Sequence, residues 1–262
     1  MAYFAVFSAQ LRIGLQYRAA ALSGSVGQVV FGLIFIAVLR AFYQSAPLSP
    51  PMPFADAVVY IWLGQAMLGM LPAYLGPDLP RLMRSGDIVF ELLRPVDIYG
   101  LWFARAVAYR VTTVVLRAIP VALLAGLFFG LQPPVSWEAG LAWGVATLLA
   151  LGVSCAMAML FSLTLLWTVA GAGITHLGVA AVSLLSGMLV PLPFFPEWMQ
   201  GAMDWLPFRS LYDIPFRLYL GHIPPDAAVG VLLQQAAWGI GLVLVGYAVL
   251  ARGRRRLIVQ GG

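Results

Sequence analysis

The chain contains no lysine, a single cysteine and few charges of either sign, and each shortage excludes something. Without lysine there is no Walker A phosphate loop, so any ATP that drives this protein is hydrolysed on another chain. The lone Cys155 rules out an intrachain disulfide, and its apolar neighbours mark it as a small buried side chain. Charged residues make up 10% of the 262, against about 25% in a soluble domain. The two histidines, His176 and His222, fall on opposite sides of the expected spans, so no metal site is expected. No HExxH, paired-aspartate or Gly-x-Ser-x-Gly motif occurs. The chain is therefore not expected to be an enzyme.

In place of these, 62% of the residues are hydrophobic and lie in continuous runs rather than in alternation. That pattern predicts an all-α integral membrane protein and not a barrel. Counting about 20 residues per span gives six transmembrane helices in one domain, 1–262. The first is Ala19–Leu39, too long for a signal-peptide core, so no cleavable leader is expected. The second is Ala57–Pro77. The third, Ala106–Leu131, carries Arg110 and Arg117 in its first half. The uncharged stretch Ala139–Pro196 fits two spans, reversing near Thr168–Thr175 at Gly171 and Gly173. The last is Ala228–Leu250.

A formal charge of +5 suggests nucleic acid only until the arginines are placed, because they cluster at the ends of apolar runs. With the N-terminus inside, Arg12, Arg18, Arg81, Arg84, Arg94, Arg105 and the tail from Arg252 to Arg256 lie inside. Arg110 and Arg117 lie towards that side, and only Arg40, Arg209 and Arg217 fall outside. Both termini are then cytoplasmic. Residues 1–18 are too polar to span. With Phe4, Phe7, Leu11 and Leu15 on one stripe, they read as a helix lying in the inner interface, in contact with membrane lipid.

Residues 78–105 hold four acids and four arginines between two membrane-length runs. Arg81, Arg84, Asp87, Glu91 and Arg94 share one helical face, with Leu82, Val89, Leu92 or Leu93, and Val96 opposite. Gly86 divides the stretch into two short helices and Pro95 ends the second. Exposed ion pairs add only about 0–1 kcal/mol each, so internal pairing is a weak reason for such a helix, and docking of a soluble partner is the stronger one. Residues 187–225, on the outer side, are dense in proline and aromatics. They predict two short re-entrant helices, Pro196–Trp205 and Arg209–Leu220, read as an outer gate formed by Pro191, Phe194, Phe195, Pro196, Trp198, Pro207 and Phe208. Within the spans, polar groups are few. Gln28, Gln65 and Arg117 are the candidates to line a substrate path, and Gly24, Gly27 and Gly32 allow close helix approach.

The run Gly86-Asp87-Ile88 through Glu91-Leu92-Leu93-Arg94-Pro95-Val96-Asp97 resembles the cytoplasmic loop of bacterial ATP-binding-cassette exporter permeases of the second type. Ser186-Gly187, Pro191-Leu192, Phe195-Pro196, Leu206-Pro207-Phe208, Pro215 and Gly221 follow that family's outer segment in order. The resemblance implies a coupling helix seated in a cleft of an ATPase subunit. Arg84, Asp87, Glu91 and Arg94 would be its polar contacts and Phe90, Leu92 and Leu93 its apolar plug, with Asp97 at the end of the element. It implies two ATPase subunits that carry ATP and magnesium, a second permease (identical or paralogous), and a place in the bacterial inner membrane. The substrate would be hydrophobic or amphipathic (a drug, lipid, glycolipid or peptide-like molecule), exported by alternating access. No cofactor on this chain and no nucleic acid are expected. A membrane-embedded enzyme or a passive scaffold are the competing readings, and neither calls for a charged docking helix.

Overall fold

The computed structural model describes residues 2–16, 18–45, 50–73, 82, 90, 91, 93, 95–166 and 171–257. The described residues form helices and turns, with no strand among them. The helices are α1 (Ala2–Gln16), α2 (Arg18–Ser45), α3 (Phe54–Ala66), α4 (Ile98–Phe128), α5 (Trp137–Leu163), α6 (Gly171–Leu185), α7 (Glu197–Asp204), α8 (Asp213–Tyr219) and α9 (Pro225–Leu257). Four segments are long and apolar enough to cross a membrane: Ser23–Ser45, Ile98–Phe128, Trp137–Leu166 and Pro225–Gly253. Gly173–Leu185 is a shorter apolar helix.

Local chemistry sets the boundaries. α4 begins eight residues before the expected Ala106, because the Asp97 side chain accepts the Gly100 N–H at 2.7 Å and caps the helix. Ser136 caps α5 in the same way through the Ala139 N–H, and Pro225 opens α9 at a position that needs no amide. The second expected span differs from its reading. Its regular helix is 13 residues, about 20 Å, and a tight turn at Leu68–Met70 follows. Leu71 is extended, as the residue before Pro72 must be. Residues 74–77 of that span lie outside the described residues. Gly171 and Gly173 lie in the first turn of α6 rather than in a loop, and residues 167–170 lie outside the described residues. Pro196 precedes α7 as its cap instead of lying in its first turn.

The packing is centred on α5. Just over half of its membrane-length window is buried (56%), against 6–22% for the other three long spans. Most of its inward residues are small, Ala146, Ala150, Ser154, Cys155, Ala156 and Ala158 among them, with Met157, Met159 and Leu163 the larger ones. Without hydrophobic force between helices in lipid, small side chains let backbones approach. α9 runs along α5, α8 rests on it, and α3 is walled in by α2 and α4 with Tyr60 and Trp62 fully buried. α1 lies along α4 with Phe7 and Leu11 half-buried and Arg12 exposed.

The segment between α6 and α9 folds back into the bundle. Its two short helices match the expected pair in place, and Leu211, Tyr212, Ile214 and Phe216 are as buried as the centre of α5. The entry turn is Gly187, at φ +86°, where a Cβ would overlap the Tyr60 hydroxyl. Both the left-handed backbone and the close approach demand glycine. Gly187→Ala is expected to cost about 2 kcal/mol or more. Its unfolding temperature in detergent should fall clearly below that of Gly201→Ala, where an added Cβ meets open space.

Candidate functional site

Of the charged stretch 78–105, residues 82, 90, 91, 93 and 95–105 are described, and they reverse one part of the expected pattern. Glu91 does not share an outward charged face. It is 6% exposed, and both of its oxygens are taken up by α4. Arg105 donates to it twice, Nη1 to Oε2 at 2.8 Å and Nη2 to Oε1 at 2.9 Å, and the Trp102 indole donates to Oε2 at 2.9 Å. A planar guanidinium against a carboxylate is the strong form of this pair. The two neighbours point out instead: Phe90 is 71% and Leu93 75% exposed. Leu82 packs against the Ile98–Tyr99–Trp102 cluster. Asp97 serves two partners, the Gly100 amide and the Tyr247 hydroxyl of α9, each at 2.7 Å. Arg84, Asp87, Leu92 and Arg94 lie outside the described residues.

At the far end of the bundle, the expected gate residues divide. Pro191 and Pro207 are buried, and Phe194 sits edge-on to Phe42 of α2 with ring centres 5.9 Å apart. Phe208 packs on the Tyr212–Phe216 core. Phe195 is half-buried, and its carbonyl accepts from Gln200 at 2.7 Å. Pro196 and Trp198 face outward. The sequence reading missed a charged knot behind these residues. Asp213 is 1% exposed and stands 3.8 Å from the Arg209 Nε, 3.7 Å from an Arg217 nitrogen and 3.3 Å from the Tyr60 hydroxyl. Burial pushes its carboxyl up, and Arg217 and then Arg209 pull it back. Arg209 also pairs with Asp204. His222 meets Asp56 at 2.7 Å, so the start of α3 is tied to the end of the re-entrant segment. The i, i+4 spacing of Arg209, Asp213 and Arg217 is the signal that was available in the sequence.

Two arginines remain inside the spans. Because α4 starts at Ile98, Arg110 is about 18 Å and Arg117 about 28 Å from that start, in a helix about 46 Å long. The expectation that both lie in the first half of their helix fails for Arg117. Arg110 is 1% exposed. Its Nε donates to Ser154 at 2.9 Å, its Nη1 approaches the Cys155 sulfur at 3.9 Å, and its Nη2 has no partner. The Ser154 hydroxyl in turn donates to the Met70 carbonyl, freed where the helical run of α3 ends. This relay joins α4, α5 and the entrance to the docking loop. Arg117 lies against Gly24 of α2, with its Nε buried and unpartnered. Gln28 is 3% exposed with neither amide atom bonded, and Gln65 is buried on α3.

Ser154→Ala strands the Arg110 Nε and the Met70 carbonyl together and is expected to lower stability by about 2 kcal/mol. Ser183→Ala is the control, because that hydroxyl bonds only within α6, to the Val179 carbonyl. Thermal unfolding of the purified protein in detergent should separate the two variants.

The bundle carries long apolar spans, a loop fastened to one end, a re-entrant segment in the other, and no His/Cys/Asp/Glu group fit for a metal among the described residues. A search of curated proteins finds no match. A family model described as an ABC-2 family transporter protein matches residues 29–261, from within α2 to beyond α9. The chain thus belongs to the ABC-2 family, as a multi-pass membrane permease component of an ABC transporter that has no catalytic activity of its own.

Proposed function

We propose that this chain is the permease subunit of an ATP-driven exporter in the bacterial inner membrane, moving a hydrophobic or amphipathic substrate by alternating access. The family implies an ATPase partner in general terms. The finer reading has six spans with both termini inside, two permeases and two ATPase subunits per complex, and ATP with magnesium bound on the ATPases alone. One observation carries the coupling route: the Glu91–Arg105–Trp102 lock beside exposed Phe90 and Leu93.

An element that transmits closure of a motor must be rigid and continuous with membrane helices. Glu91 supplies the rigidity. Its bonds to Arg105 and Trp102 make the loop one body with the first two turns of α4, and Asp97 extends that body to α9 through Tyr247. Phe90 and Leu93 supply the contact, as two apolar side chains turned outward beside a locked carboxylate. Arg84, Asp87, Leu92 and Arg94 complete the contact surface in this reading. Glu91 and Asp97, first read as contacts, become the fasteners behind it. At the outer end, opening separates Phe194 from Phe42 and the α7–α8 segment from α3, and the Asp213 knot keeps that segment together as a unit.

Two kinds of variant test the division of labour. Leu93→Glu, or Phe90→Glu, should weaken co-purification of the ATPase about tenfold, the loss of a modest hot spot. Arg105→Gln should leave co-purification near normal while transport-coupled ATPase stimulation drops several-fold. Equal effects of both on co-purification would show that the lock has no separate role in transmission. Cysteine labelling at Leu93 should succeed only from the cytoplasmic side. Labelling from outside would overturn the orientation.

A further inference from the structure

We infer that Arg117 and Gln28 form a binding site for an anionic group, a phosphate or carboxylate on an amphipathic molecule, set between α2 and α4 inside the membrane. This rests on the permease reading and names the chemistry of what is carried or held there.

The first support is charge accounting. An arginine deep in hydrocarbon needs an anion or a polar cage. Arg117 has neither: its Nε is buried and unbonded. No carboxylate is available at its depth. The sequence has no Asp or Glu before Asp56, none between Asp97 and Glu138, none between Glu138 and Glu197, and none after Asp226. Among the described residues, the buried acids are already paired, Asp213 with Arg209 and Arg217 and Glu91 with Arg105. A second copy of this chain brings the same deficit. Arg110, by contrast, is held by Ser154, which makes it a structural bolt and leaves Arg117 as the cation without a counter-group.

The second support is independent of the first. Gln28 is 3% exposed, and both of its amide atoms are unpartnered. It sits one turn beyond Gly24 on the same face of α2. Side chains on a helix lean over the preceding turn, and for Gln28 that is the turn of Gly24. Arg117 lies over that glycine: a Cβ there would stand 3.1 Å from its guanidinium carbon and 3.2 Å from Nε. An unpartnered amide and an unpartnered guanidinium nitrogen therefore share one strip of α2, one turn apart. One turn the other way from Gln28, at Gly32, the Trp62 ring closes the space, since a Cβ would come within 2.6 Å of it. Phe31 and Ile34, both exposed, offer apolar surface beside the site for a hydrocarbon tail. An anion here accepts from Arg117 and from the Gln28 amide nitrogen. The Gln28 carbonyl oxygen is left to accept from a hydroxyl on the same headgroup.

The test uses the full chain in nanodiscs. Against a phosphatidylcholine background, either phosphatidylglycerol in the disc or added dodecyl phosphate should raise the unfolding temperature by about 5 °C. Arg117→Gln should abolish the rise and Arg117→Lys should retain most of it. Gln28→Glu places a carboxylate beside Arg117. It should raise the temperature in plain phosphatidylcholine and remove the response to both anions. A response to phosphatidylglycerol identifies the source as a bilayer headgroup. A response to dodecyl phosphate alone identifies a free amphiphile of the cargo type. No response in the wild-type protein, or the same response in Gln28→Glu as in wild type, overturns the site. So does an acidic residue of a sister permease cross-linking to position 117. None of these readouts involves the ATPase, so failure here leaves the coupling reading standing, and the reverse also holds.

Discussion

In hydrocarbon a backbone group released from a helix has no water to turn to, and this bundle is organised around that constraint. At the breaks after α3 and α4, polar side chains from other elements reach the freed carbonyls. Tyr212 bonds Met67 and Ser154 bonds Met70 at the end of α3. Trp62 bonds Phe129, and Tyr219 bonds Gln132, at the turn after α4. Gln235 bonds both Ser210 in the re-entrant segment and Ala146 in α5, each at 2.8 Å. Trp62, Tyr212 and Tyr219 thus act as donors carried on apolar bodies. An interrupted α3 and a re-entrant segment exist because these partners exist.

The same constraint explains which charges are where. The buried ones come in knots, as at Asp213 with its two arginines and Glu91 with Arg105 and Trp102, or are held by hydroxyl groups, as at Arg110. Each knot also joins elements that are far apart in sequence. Asp213 links α8 to Tyr60 of α3, and Arg110 links α4 to α5. In a medium that gives no hydrophobic drive between helices, these contacts and the small-residue face of α5 set which helices touch.

The helical, membrane-embedded character of the chain was legible in its uninterrupted apolar runs, and so were the two short helices between α6 and α9, because proline and aromatic density marks them. The ends were less legible. α4 could not be started correctly without seeing that Asp97 caps it, since Arg105 looks like a boundary charge when burial is unknown. That same misreading put Arg117 in the first half of its helix. Glu91 defeated the face argument because its partners lie beyond Pro95, on a helix whose direction the loop sequence does not encode. Phe90 and Leu93 both point outward, whereas spacing alone set Leu92 or Leu93 opposite the charged face. The knot at Asp213 carried a readable i, i+4 signal that the proline-rich setting obscured.

The burial of α5 bears on how the protein is made. Its buried face contacts α4, α6, α8 and α9, while α1, α2 and α3 all pack on α4. The segments that leave the ribosome first therefore gather around α4, and the rest of the bundle closes only when residues 137–166 have been threaded in. By then Glu91 and Arg105, both made before α5, already fasten that end of the chain to α4, so one end takes shape before the interior.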